Sequence, residues 1–368
     1  MAMAVAMAAA WNLLRGKTMI GLDTAAHFYP VYAFLGERLR SGDIPGWNPH
    51  QFAGVPFAAD PETGWMYLPA MLFFTFLPLD KAVEASIVFH FLLAGLSTYA
   101  LARVLGMGVA GTATAAVAYA SVGFLTERSV CCLVHVQVAA WLPVLLVGAE
   151  LAIRNRTWLG RGCWWGVSGF ALSQLIAAWL GQGTVYAFLA LGGYVAYRLL
   201  LAPPVPASLR ERLGGMAVHL GAILLFGVTL AAAGLLPRLE ANPYTNLAGG
   251  HYRGDMAWAA VIGGWIDKKE IAGRLLGPNG WYMGASTAVL ALVALPLARA
   301  RYAVPFFALL SVGTIILAGQ QTTPLHALLY GLLPRFEALH RHYPDRILVV
   351  FYLAPALLAG ATVHSLSR

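Results

Sequence analysis

CCLVHVQVAAWLPVLLVGAELAIRNR, residues 131–156, reads as a membrane-crossing helix followed by a basic turn. About 20 helical residues fill the roughly 30 Å of a bilayer's hydrocarbon, and the run 131–153 is long and apolar enough to do so. The same pattern recurs on both sides of it, at about 82–103, 108–125, 163–179, 184–201, 214–236, 281–298, 302–318 and 346–364. The opening stretch, MAMAVAMAAAWNLL, is shorter and lacks the basic segment that starts a signal peptide, so it reads as a short first span. The expectation is an all-α polytopic membrane protein of about ten spans, one transmembrane domain over 1–368.

Composition agrees. The 368 residues are 59% hydrophobic and 11% charged. Soluble chains carry about 45–50% apolar and about 25% charged residues, so a soluble enzyme and a disordered chain are both excluded. The net charge of +8 does not mark a nucleic-acid binder, because the basic residues are scattered among short gaps between apolar runs. Arg103, then Arg154, Arg156 and Arg161, then Arg198, Arg210 and Arg212, then Arg299 and Arg301 fall in four gaps on one side of the membrane. The positive-inside rule makes that side cytoplasmic, with the N-terminus inside; Arg15 and Lys17 are the one violation. Three long loops then lie outside the cell membrane, at about 15–81, 237–280 and 319–345. Cys131, Cys132 and Cys163 show no metal-binding spacing and read as packing residues.

The first outer loop is the richest. GLDTAAHFYPVYAFLGERLRSGDIPGWNPHQFAGVPFAADPETGWMYLP, residues 21–69, is ordered by turn formers such as Gly42, Pro45, Gly46, Pro49 and Gly54. A short helix is expected between His27 and Leu39, with Phe28, Val31, Phe34 and Leu35 on one face. In the second loop, Trp258, Val261, Ile262, Trp265 and Ile266 beside Asp267, Lys268, Lys269 and Glu270 suit an amphipathic surface helix over 255–276. Gly111, Ala115, Ala118 and Gly123 are small residues suited to close helix approach, and Gly181-Gln182-Gly183 reads as a tight turn.

An Asp just after the first span, a Tyr-Pro, and then LRSGDIPGWNPHQFAGVPFAADPETGWMYLP resemble the YfhO-like bacterial membrane proteins of the GT-C glycosyltransferase superfamily. The likeness continues in SVGFLTERSVCCLVHVQVAAWLPVLLVGAELAIR, in AAWLGQGTVYAFLALGGYVAYRLL, in LLPRLEANPYTNLAGGHYRG and in the Pro-Asp-Arg before the last span. Members of that family usually have a full first span and continue with further spans and a soluble segment, so this chain reads as a fragment or a compact member. The resemblance implies sugar transfer from a polyprenyl-phosphate donor to an extracytoplasmic acceptor such as a cell-wall polymer, glycolipid or polysaccharide. It also implies direct displacement with inversion, in a bacterial cytoplasmic (inner) membrane.

That chemistry needs a base for the acceptor hydroxyl and positive partners for the leaving phosphate. The resemblance places Asp23 in the base role, where a helix cap is the plainer alternative. Asp60 and Glu62 are further candidate catalytic acids, although Asp-Pro is also a turn signal. Asp23 with Asp60 is a candidate metal pair for Mg²⁺ or Mn²⁺. His27, one helical turn beyond Asp23, is a candidate hydrogen-bond partner of the acid or of a sugar. On the substrate side stand Arg346, Arg253 and His342, with Arg128 and His135 placed to line the cavity. Snorkelling or pairing with Asp345 is the alternative for Arg346, and plain solvation that for Arg253. His340 with His342, two residues apart and without a third ligand, is weak evidence for zinc. No Walker A, HExxH or dinucleotide fingerprint is present. Two other functions fit a membrane chain. One is a transporter of a lipid-linked substrate, which paired mid-membrane charges or internal repeats would favour. The other is a catalytically silent scaffold, which a partner membrane protein would favour.

Overall fold

The computed structural model describes residues 21–244, 282–319, 324–333, 336–340 and 344–368. The short opening run, the amphipathic segment 255–276, Arg253 and His342 lie outside the described residues. Each of the nine other expected spans falls on a helix. They are α3 (Leu79–Val104), α4 and α5 (Val109–Ala120 and Gly123–Cys131), α6 (Leu133–Arg154), α7 (Trp158–Ala178), α8 (Gln182–Ala196), α9 (Leu209–Ala241), α10 (Ala285–Ala298), α11 (Val304–Gly319), and α14 and α15 (Leu348–Phe351 and Leu353–Leu366). Two short helices, α12 (Pro324–Leu332) and α13 (Phe336–His340), lie in the third long loop. The first loop carries α1 (Tyr29–Arg40), α2 (Leu68–Phe76) and a small ladder between them. Among the described residues, six segments are long and apolar enough to cross a membrane, and α10 and α11 are shorter apolar helices. The chain is an all-α polytopic membrane fold.

The helix ends follow local chemistry. Gly106, at φ 97°, ends α3 because only a residue without Cβ takes that conformation without strain. Ser208 and Glu211 form a reciprocal capping box at the start of α9, and Thr157 caps α7. At Cys132 the backbone leaves helical geometry, which separates α5 from α6.

The α6 helix runs through the middle of the bundle, buried along nearly its whole length, with α3 and α7 beside it. A second contact forms where α15 crosses α4: a Cβ added at Gly111 would lie 2.3 Å from the Gly360 carbonyl oxygen. Ala115 lies against the same glycine, so these two small residues do admit a close crossing. Gly123 has nothing within 4 Å of an added Cβ; it begins α5 rather than closing a helix pair.

Hydrogen bonds gather the four basic connections at one end of the bundle. The Arg154 Nη1 donates to the Val104 carbonyl at 2.7 Å, and the Gly108 amide donates to His364 Nδ1 at 3.1 Å. The Tyr302 ring meets His364 with centroids 5.3 Å apart. Glu150, fully buried in α6, accepts from Arg154 Nε at 2.5 Å, Arg198 Nε at 2.8 Å, Arg198 Nη2 at 2.9 Å and the Tyr194 hydroxyl at 2.8 Å.

At the opposite end the first loop is ordered. The expected short helix is present as α1, with Phe28, Val31 and Leu35 buried, and a π-helical turn over Thr24–Phe28 leads into it. The ladder pairs Trp47 with Pro56 and Asn48 with Val55. Arg238 anchors the loop, donating to the carbonyls of Ile176 at 2.9 Å, Ala177 at 3.2 Å and Trp65 at 3.3 Å. It does so from inside α9, which continues through Pro237 to Ala241, so the second long loop starts later than the expected residue 237. The buried Tyr67 hydroxyl accepts from Trp141 Nε1 at 3.0 Å and donates to His90 Nε2, whose Nδ1 donates to the Ser86 carbonyl at 2.6 Å. Each polar group of that relay has a partner, which is what burial in a bundle demands.

Candidate functional site

The first loop returns to the bundle at the α5–α6 junction. The Gly21 amide and the Thr24 hydroxyl both donate to the Val130 carbonyl, at 2.9 and 2.8 Å. That hold places the exposed Asp23 beside Cys132, with Oδ2 4.0 Å from the sulfur. Cys131 and Cys132 are joined to each other as a disulfide, which corrects the reading of both as simple packing residues. Adjacent cysteines at a helix break meet because the chain there is not helical. Cys163 is free and exposed.

The acids gather around Glu62. Asp60 Oδ1 accepts from the Glu62 amide at 2.8 Å, the turn that an Asp-Pro pair favours. The Glu62 carboxylate lies 3.8 Å from His27 Nε2, and the side chain of Gln51 meets His27 Nδ1 at 3.0 Å. His27 therefore partners Glu62 and Gln51 rather than Asp23, the partner its helical spacing suggested. Burial raises the Glu62 pKa above its usual 4.5. Asp60 adds to that effect, His27 and Arg346 oppose it, and Asp23 adds to it again. One carboxyl thus feels both remaining acids and one of the candidate phosphate-binding arginines.

The cations lie on the other side. Arg346, in the 3₁₀ turn Pro344–Ile347 that opens α14, donates from Nη1 to Gln182 Oε1 at 2.9 Å and sits 5.7 Å over the Trp179 ring. His135 packs on the same Trp179, with centroids 4.5 Å apart, and its Nδ1 donates to the Cys132 carbonyl at 3.2 Å. Arg128 reaches the two cysteine sulfurs at 3.9 Å each, and its Nη2 lies 3.8 Å from Asp345. Asp345 therefore pairs with Arg128, not with its neighbour Arg346. Cations, acids, Trp179 and the disulfide converge where α5, α6, α8 and α14 meet the first loop.

Carboxylate oxygens suit Mg²⁺ or Mn²⁺. Among the described residues, the only three-donor group with ligand atoms within 4.8 Å of one another is Asp23, Cys131 and Cys132, whose sulfurs are bonded together. Asp23, Asp60 and Glu62 do not converge on one ion in this arrangement.

Gln182 and Trp179 escaped sequence reading. Gly181 does adopt a turn conformation, at φ 131°, but Gln182 is the first residue of α8 and holds Arg346. An amide and an aromatic flanking a glycine turn are too common to signal such a role.

No known sequence family and no curated protein matches the chain. Solved structures do. The apo oligosaccharyltransferase of Archaeoglobus fulgidus aligns with TM-score 0.56 and 14% identity, over 98% of this chain and 49% of that chain. The oligosaccharyltransferase AglB of the same organism, in complex with an inhibitory peptide and a dolichol-phosphate, aligns with TM-score 0.46 and 15% identity, over 98% of this chain and 50% of that chain. The chain spans about half the length of these neighbours. The first alignment shows that the chain shares its fold with the part of that oligosaccharyltransferase it aligns with.

Proposed function

We propose that the chain is a membrane glycosyltransferase of the GT-C type, moving a glycosyl group from a polyprenyl-phosphate-linked donor to an extracytoplasmic acceptor hydroxyl. The observation that carries this reading is the meeting of two opposed groups at one end of the bundle. The carboxylate of Asp23 and the guanidinium of Arg128 approach the same Cys132 sulfur, at 4.0 and 3.9 Å, and Glu62 lies within electrostatic reach of Arg346. Glycosyl transfer from a phosphate needs both characters in one place. The fold shared with part of an oligosaccharyltransferase and the residue order of the YfhO-like resemblance support the same reading.

In the proposed reaction the acceptor oxygen attacks the anomeric carbon as its proton passes to the Asp23 carboxylate. The bond from that carbon to the phosphate oxygen breaks, and its electron pair leaves with the phosphate. Attack opposite the leaving group inverts the anomeric centre. Asp23 makes no ion pair among the described residues, so its oxygens are available for this task. Glu62, Asp60 and His27 orient the acceptor. Arg346 and Arg128 hold the phosphate as charge develops on it. Arg253 and His342 are sequence-based candidates for further contacts with donor or acceptor. The charge that develops on the phosphate is met by the chain's own cations, Arg346 and Arg128.

The positive-inside rule puts the arginine-rich end in the cytoplasm and the Glu62 end outside, in the orientation a lipid-linked donor requires. A bacterial cytoplasmic membrane is the setting the YfhO-like resemblance implies.

The test follows release of polyprenyl phosphate from a panel of polyprenyl-phosphate sugars. It uses purified protein in lipid, with and without Mg²⁺ or Mn²⁺, for the native chain and Asp23→Asn. Release lowered about a hundredfold or more in the folded variant supports the base assignment. Undiminished release from Asp23→Asn refutes it. No release from folded native protein with any donor removes the enzyme reading in favour of a scaffold.

A further inference from the structure

We infer that Tyr186 and His340 are positioning residues that set the direction of the phosphate-facing guanidinium of Arg346, through a one-way hydrogen-bond chain ending on Gln182. This inference rests on the reading of Arg346 as a phosphate partner. It gives a task to two buried residues that the proposed reaction does not use.

The direction of the chain follows from its far end. The Leu317 carbonyl, in α11, can only accept, so the His340 nitrogen 3.0 Å from it, Nε2, carries the proton. A neutral His340 then has only a lone pair at Nδ1, and the Tyr186 hydroxyl 2.8 Å away must donate to it. Burial lowers the His340 pKa to about 4, so the ring is neutral near pH 7. Having spent its proton, the Tyr186 oxygen accepts from Gln182 Nε2 at 3.4 Å. The amide is thereby oriented, with Oε1 turned to Arg346 Nη1 at 2.9 Å. Flipped by half a turn, Gln182 would set an NH₂ against the guanidinium, donor against donor. Four segments distant in sequence are ordered in series: α11, α13, α8 and the turn that opens α14.

His340 is fully buried, and its ring stacks on Phe336 with centroids 5.0 Å apart. Tyr186 is 1% exposed. Neither reaches a ligand, so their effect must travel through Gln182. The advantage is chemical. A carboxylate in Gln182's place would put a negative charge where the phosphate is to bind, whereas an amide oxygen orients the guanidinium without adding one.

The experiment measures binding of a polyprenyl monophosphate to the full chain in phosphatidylcholine nanodiscs. Arg346→Gln is expected to weaken binding about a hundredfold. Tyr186→Phe and His340→Leu, which break the chain at two points, are expected to weaken it about tenfold. His340→Asn keeps an acceptor for the tyrosine hydroxyl and is expected to stay within about twofold of the native chain. Gln182→Glu separates positioning from mere support: melting temperature is held or raised, yet binding falls about tenfold because a negative charge is added beside the phosphate. Native-like binding by both Tyr186→Phe and His340→Leu, with Arg346→Gln impaired, overturns the chain and leaves the donor reading intact. Native-like binding by Gln182→Glu also overturns it. Absence of binding by folded native protein removes the donor reading and this inference together.

Discussion

Two glutamates at opposite ends of the bundle show what the chain does with a carboxylate. Glu150 is fully buried, and both of its oxygens are engaged by two arginines and a tyrosine. Glu62 is half-buried, has a single imidazole at 3.8 Å, and keeps the company of Asp60 and Asp23. The first acid is saturated and ties α6 to the end of α8. The second is left short of positive partners, in surroundings that favour a proton or a cationic or hydroxylic ligand. The paired acid serves the fold, and the under-paired acid belongs to the proposed site.

The sharpest way to break this comparison is to remove each acid in turn. Glu150→Ala leaves Arg198 buried without its partner, and breaking a buried ion pair from one side costs about 3–5 kcal/mol. Glu62→Gln removes a group that the fold tolerates rather than uses, so its melting temperature is expected to match or slightly exceed that of the native chain. Thermal unfolding of both variants in one detergent decides the matter. A Glu150→Ala protein as stable as the native chain would dissolve the distinction. Transfer should respond the other way: Glu62→Gln is expected to slow polyprenyl-phosphate release about tenfold to a hundredfold, the loss that follows when an acceptor is less well oriented. A Glu62→Gln enzyme with unchanged turnover would reduce Glu62 to a loop residue.

The arginines around Glu150 sharpen the point. The Arg154 side chain is 42% exposed and that of Arg198 only 14%. Arg154→Gln is therefore expected to cost about 1 kcal/mol, because its head group still reaches water and Arg198 stays on the carboxylate. Arg198→Gln should cost clearly more, because it strips two hydrogen bonds from a buried carboxylate. Equal losses, read from the same melting curves, would mean that burial does not rank these pairs.

The two ends also differ in how far their sequence could be read. Nine spans and the α1 helix were legible because burial against lipid or a neighbouring helix writes itself as apolar periodicity, a property of each segment alone. Arg103, Arg154, Arg198 and Arg299 carried the sidedness argument for the same reason. The site is a property of several segments at once. Glu62 meets His27 only because the Asp60 turn and the Trp47–Pro56 ladder fold the loop back on α1. Asp23 meets Cys132 only because Val130 offers a free carbonyl at the α5–α6 break. Arg238 fell within the expected second loop, 237–280, yet the helix continues through Pro237 and the arginine is buried against the end of α7. Gln182 carried no signal, because its task is set by a histidine more than a hundred residues away.

The smallest effect expected is a pH dependence, and its sign follows from the surroundings of Glu62. Burial and Asp60 make the folded chain hold this proton more tightly than an unfolded chain, whose carboxyl releases it near 4.5. Below that value both states are protonated and Glu62 makes no difference. As pH rises past it, the unfolded chain ionises first, while the folded chain must still ionise Glu62 beside two acids. Stability is therefore lost through that interval and levels off once the raised folded value has been passed. Glu62→Gln has no proton to release, so the difference in melting temperature between variant and native chain should widen with pH and then become constant. Glu150→Gln offers the contrast: losing a saturated acid lowers stability, and none of that loss should trace the Glu62 interval. Parallel native and Glu62→Gln curves from pH 4 to neutrality would show that His27 and Arg346 compensate the carboxylate fully. Glu62 would then be a second Glu150, and the mark of the site would pass to Asp23 alone.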